Sequence, residues 1–133
     1  MSGGVLAPGL LGQAFAVALG GAIGAVLRWA VGLWLAGTWS GFPLGTLVVN
    51  CVGGLAIGIA LVAFDRVPAE AMRLLLVTGF LGGLTTFSAF SAESLVLLQR
   101  GQLALALAHT AAHVAGARGC AASGWRFGRL VIG

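Results

Sequence analysis

Four long apolar stretches, separated by connections of only a few residues, leave this chain little choice of solvent. They cover about residues 11–35, 44–64, 72–98 and 103–122, with "AGTWSGFP", "DRVPAEA" and "QRGQ" between them. A helix that crosses a bilayer needs ~20 mostly apolar residues. Only 8% of the chain is charged and 59% is hydrophobic, whereas a soluble domain keeps about a quarter of its residues charged. Lipid is the solvent this composition suits. The connections are too short to hold a second domain, so residues 1–133 are expected to form one all-α transmembrane domain of four spans. The opening "MSGGVLAPGLLGQ" lacks the positive n-region of a cleaved leader, which makes the first stretch a true span.

The net charge of +4 comes from seven arginines, with no lysine. A basic chain raises nucleic acid as a partner, but these arginines are scattered singly, without the patch that phosphate binding needs. Nucleic acid is excluded. Arg66, Arg73, Arg126 and Arg129 fall on one side of a four-span topology and Arg100 on the other. That is a modest bias toward cytoplasmic termini, which Arg28 and Arg118, in or at the edge of spans, leave open. Cys51 and Cys120 have no CxxC or metal-type spacing and read as small packing residues.

Glycine recurs one helical turn apart in three spans, as Gly20 with Gly24, Gly54 with Gly58, and Gly79 with Gly83. Such pairs let helix backbones approach closely, which is how helices associate in lipid. Four small helices also make a thin bundle, so self-association is expected.

The third stretch interrupts itself with "GFLGGLTTFSAFSAES", residues 79–94. Gly82 and Gly83 weaken a helix by ~1 kcal/mol each against alanine, and the threonines after them can turn their hydroxyls onto the backbone. The pattern fits either a packing kink or a true break. Broken helices persist at membrane depth only where protein or a polar cavity satisfies the freed groups, and freed carbonyls are ready ion ligands. Phe87 and Phe90 share a face; they are either packing residues or rings whose positive edges meet an anion. Ser88, Ser91 and Ser94 add hydroxyls on neighbouring faces. Glu93, a carboxylate inside a span, is a functional-site candidate by default.

Elsewhere, Asn50 sits among valines in span two, able to donate to an anion or bridge to another helix. Arg28 in span one should pair, snorkel or reach water. His109 and His113, four residues apart, have a spacing that can hold a metal, yet no HExxH and no adjacent acid or cysteine accompanies them, so no metal is expected there. No Ser/His/Asp set can be assembled from the sequence, and the chain is not expected to be an enzyme.

Together, "GGAIGAVLRW" in span one, "PLGTLVVN" in span two and "GFLGGLTTFSAFSAE" in span three resemble the CrcB/Fluc family of small fluoride channels. The match extends over about residues 20–100. The resemblance implies passive fluoride export that lowers fluoride toxicity, through a dual-topology homodimer of antiparallel four-helix subunits in a bacterial plasma or inner membrane. It implies a third helix broken at the glycine–threonine motif. Carbonyls of Gly82 and Thr85 from both subunits would hold a structural sodium ion at the dimer centre. Phe87 and Phe90 would line two fluoride pores with Ser88 and Ser91 nearby, Asn50 would donate from the pore side, and Arg28 and Glu93 would stand as structural or pore-adjacent polar groups.

The chain departs from that family where Ala89 replaces a hydroxyl and where span four has no tyrosine; His109 and His113 occupy comparable positions. Arg118 leaves only ~15 clean apolar residues before it, short of a span. Two other functions compete. A small multidrug-resistance-type exporter needs a carboxylate in span one, where this chain has Arg28 and no acid. A non-transporting membrane assembly protein would need neither Phe87 nor Asn50.

Overall fold

A computed structural model describes residues 8–38 and 41–133. The reading of the extreme N-terminus falls largely on residues 1–7, and part of the first connection on residues 39–40; both lie outside the described residues.

The regular structure of the described residues is helical. Helix α1 is Pro8–Leu35 and α2 is Leu44–Arg66. The third segment is split. Its first half, α3 (residues 70–84), joins a turn at Glu70–Arg73, a π-helical stretch Leu74–Leu81 and a last turn Gly82–Leu84. Its second half, α4, is Phe87–Gln99, and α5 is Leu103–Val131. The connections turn on glycines with positive φ, Gly37 at 73°, Gly41 at 80° and Gly101 at 72°, a conformation that costs glycine nothing.

Among the described residues, three segments are long and apolar enough to cross a membrane: Gly9–Leu35, Leu44–Arg66 and Glu70–Gln99. Helix α5 is not among them. Its 29 residues suffice in length, but His109, His113, Arg118, Arg126 and Arg129 dilute its apolar face. It runs past the expected end near Ala122, straight through Arg118. Arginine is a good helix former, and Gly124 and Gly128 seat the far end against Leu55 and Val62 of α2.

The glycine pairs decide which helices meet. A Cβ on Gly20 or Gly24 would run into the Leu75 or Phe80 carbonyl, and one on Gly79 or Gly83 into the backbone of α1 around Val17–Gly21. On the other side, Gly54 and Gly58 lie against the Ala117 and Ala121 carbonyls. So α1 packs on α3 and α2 on α5, each through small-residue faces. The buried apolar core is slight among the described residues: Val49, Leu81 and Leu84 cluster with Val31, Ala56, Ile57 and Phe80 around them, and Val62, Leu97 and Ala106 are buried apart from that cluster. Large apolar side chains such as Phe15, Trp34, Leu107 and Phe87 point outward.

Candidate functional site

The polar groups of this apolar chain converge on the break in the third span. Thr85 and Thr86 are extended (φ −88°, ψ 157° and φ −156°, ψ 128°), so helical hydrogen bonding stops there. The sequence anticipated an interruption near the glycine pair; the break falls just after it, on the threonines. Thr85 turns its hydroxyl back onto the Leu81 carbonyl at 2.8 Å. Thr86 acts as the N-cap of α4, its hydroxyl accepting the Ala89 N–H at 3.1 Å, a stabilising role for threonine at that position.

Asn50 of α2 clasps the break. Its Oδ1 accepts the Thr86 N–H at 2.8 Å and its Nδ2 donates to the Thr86 carbonyl at 2.9 Å. The amide thus behaves as a strand partner for one residue, filling both backbone valences that the break opens. Because Thr86 settles which way the amide faces, Nδ2 also donates to His113 Nδ1 at 3.3 Å.

Three carbonyls before and within the break lose their ordinary helical donors. The Thr86 N–H, which would return to Gly82, goes to Asn50. The Ala89 N–H, which would return to Thr85, goes to the Thr86 hydroxyl. Gly83 receives instead the Nε of Arg28 from α1, at 3.1 Å. Arg28 therefore pairs with main chain inside the subunit.

A second chain of contacts continues from α4 to α5. Glu93 accepts the Thr46 hydroxyl on Oε1, and its Oε2 lies 3.0 Å from His109 Nε2. His109 Nδ1 meets the Ser94 hydroxyl at 3.0 Å. Both histidines are buried, His109 fully so, and the His113 Nε2 atom has no partner among the described residues. Aromatic rings wall the cluster. Phe90 stacks on His109 (centroids 5.1 Å, 16°) and lies 4.6 Å from His113, while Phe42 meets His109 edge-on at 5.6 Å.

Two grooves reach this cluster. The larger, ≈ 760 Å³, is bordered by Asn50, Thr86, Phe87, Phe90, His113 and Arg118 among others. The other, ≈ 670 Å³, runs past Phe42, Glu93 and Arg100. Phe87 is 79% exposed along the first, its ring 5.5 Å from that of Phe90. Arg118 is exposed and borders the larger groove.

The expected residues are thus partly gathered and partly apart. Asn50, Phe87 and Phe90 border one groove. Ser88 contacts the Thr86 hydroxyl at 3.1 Å, and Ser91 donates to the Phe87 carbonyl at 3.0 Å; both are exposed. Thr46 and the capping role of Thr86 were not anticipated. Thr46 is one turn before Asn50 on the same helix face, a signal that is weak without knowing what α2 faces. No acid stands beside the histidines in the sequence, and Glu93 reaches His109 from another helix.

Residues 15–125 match the family model described as CrcB-like protein, Camphor Resistance (CrcB). The chain is 49% identical over 121 residues to the fluoride-specific ion channel FluC of Pseudomonas paraeruginosa, covering 86% of this chain and 95% of that one. It is 53% identical over 103 residues to the channels of the same name from Pseudomonas aeruginosa and Aromatoleum aromaticum. These matches cover 76% of this chain and 81% and 79% of the relatives.

Proposed function

The chain belongs to the CrcB-like family, and on that premise we propose that it is a fluoride-selective channel through which fluoride leaves the cytoplasm passively. It is a multi-pass membrane protein, with three segments long and apolar enough to cross. The observation that carries the reading in this chain's own residues is the run of polar groups between the two grooves, walled by Phe87, Phe90 and Phe42. A small anion with tightly held water crosses lipid only if donors and positive ring edges, arranged in advance, replace that water. His113 and the two rings offer such groups along the larger groove, which Asn50 also borders while holding the break, and Arg118 adds positive charge there. Ser88 and Ser91 lie nearby on α4.

The working unit in this reading is an antiparallel homodimer inserted in both orientations, with two pores. Its support is the outward display of large apolar side chains against a slight core, together with the exposed Phe87 at the groove. A sodium ion at the dimer centre fits the same picture. The Gly82 and Thr85 carbonyls are two whose helical donors are diverted, and oxygen donors suit a hard cation. Gly82 and Thr85 of each subunit would hold the ion, which ties the two broken helices together.

The test is direct. C-terminal reporters on a functional chain should be detected on both faces of the membrane, and liposomes holding the purified protein should release fluoride. A reporter confined to one face removes the antiparallel dimer; liposomes that retain fluoride remove the channel.

A further inference from the structure

We infer that Glu93, His109 and His113 form a binding site for a borderline divalent transition metal of the zinc type, inside the helical bundle. One ligand atom from each residue lies within 4.8 Å of the others. Two imidazoles and a carboxylate are a donor set that suits zinc, copper or nickel rather than sodium or calcium. No further ligand is needed from the protein, since three-ligand sites keep a position for water or another small ligand.

The surroundings are built as a metal's outer shell is built. Each of the three groups has one polar atom held from outside the triad: Glu93 Oε1 by Thr46, His109 Nδ1 by Ser94, and His113 Nδ1 by Asn50. Partners such as Thr46 and Ser94 orient metal ligands, whereas the Asn50 contact holds His113 only while the site is empty. The serine hydroxyl can donate to His109 Nδ1 or accept from it. His109 can therefore present Nε2 to Glu93 as a donor, or to a metal as a lone pair, without moving Ser94. His113 Nε2, buried and without a partner among the described residues, is the second pointer, because a stranded polar atom at a buried site is costly until something satisfies it.

His113 sets a limit on affinity. Whichever of its nitrogens takes the metal, the 3.3 Å contact from Asn50 is given up, since Nδ1 then either carries a proton or holds the ion. Asn50 keeps both bonds to Thr86, so the break stays clasped. Access exists from two sides, because Glu93 borders one groove and His113 the other. The site does not depend on what the protein transports.

Titration of the purified, membrane-reconstituted protein with Zn²⁺, together with the visible spectrum after Co²⁺ addition, tests the assignment. The parent should bind one ion per subunit and give the intense bands of low-coordinate Co²⁺. Glu93→Gln and His113→Gln should each weaken binding at least about tenfold, the scale on which even outer-shell losses act. Elution as the parent oligomer separates lost ligands from lost fold. Cys51→Ser with Cys120→Ser should leave binding intact. No saturable binding by the parent overturns the site, as does binding that survives the Glu93 and His113 variants or disappears with the cysteines.

Discussion

The side chain of Asn50 holds both backbone groups of Thr86, accepting its N–H at 2.8 Å and donating to its carbonyl at 2.9 Å. One amide thereby makes a helix break tolerable at membrane depth, and it links α2 to the start of α4. Asn50→Leu should strand the N–H and C=O of Thr86 at about 1–3 kcal/mol for each unpaired group. The expected result is a lower thermal midpoint in detergent together with reduced fluoride flux. An unchanged midpoint would mean that the break holds itself.

Gly58 faces the Ala121 carbonyl so closely that a Cβ has no room, whereas Gly119 on α5 has nothing within 4 Å. Gly58→Val should therefore destabilise the protein by about 1–3 kcal/mol through overpacking. Gly119→Ala should be neutral or slightly stabilising, as glycine is a poor helix former. Thermal melts of the two variants side by side check the contrast.

Phe87 and Phe90 are neighbours with different surroundings. Phe87→Ile changes an exposed ring and should cut fluoride flux strongly with little change in stability. Phe90→Ile should cut flux and also cost about 0.5–1.5 kcal/mol from lost ring packing, because Phe90 stacks on His109 and touches His113. Flux and melting measured on both variants separate a pore role from a packing role.

Arg118 borders the groove that Phe87 and Asn50 share. A positive group there raises the local anion concentration. Arg118→Gln should lower fluoride flux at low ionic strength, and the difference should shrink in high salt as screening shortens its reach. A salt-independent loss would point to packing.

Gly82→Leu should disrupt dimer assembly by crowding the proposed ion site, while Thr85→Ser should be mild, since the ligand there is main-chain. Replacing sodium with a bulky organic cation should loosen the dimer in the same way. Subunit exchange between differently tagged dimers measures both effects.

Much of this arrangement was legible from residue type alone. Small residues one turn apart named the packing faces of α1, α2 and α3, because close backbone approach admits little else; which helix each face meets, and the Gly124 and Gly128 face of α5, came from the structure. A Gly-Gly-Leu-Thr-Thr run with weak helix propensity marked the break within a few residues. Partners distant in sequence were not legible. Glu93 reaches His109 across 16 positions and Thr46 across 47, and side-chain pairs of that kind depend on helix rotation, which periodicity in an almost wholly apolar chain records poorly. Arg118 cut short the clean apolar run of the fourth stretch, and the groove that it borders was not legible for the same reason.

The central claim is selective fluoride conduction, and efflux of fluoride and of chloride from liposomes holding the parent protein at equal gradients tests it most directly. The account predicts rapid fluoride release with chloride retained. Equal release of the two anions, or release of neither, would contradict it.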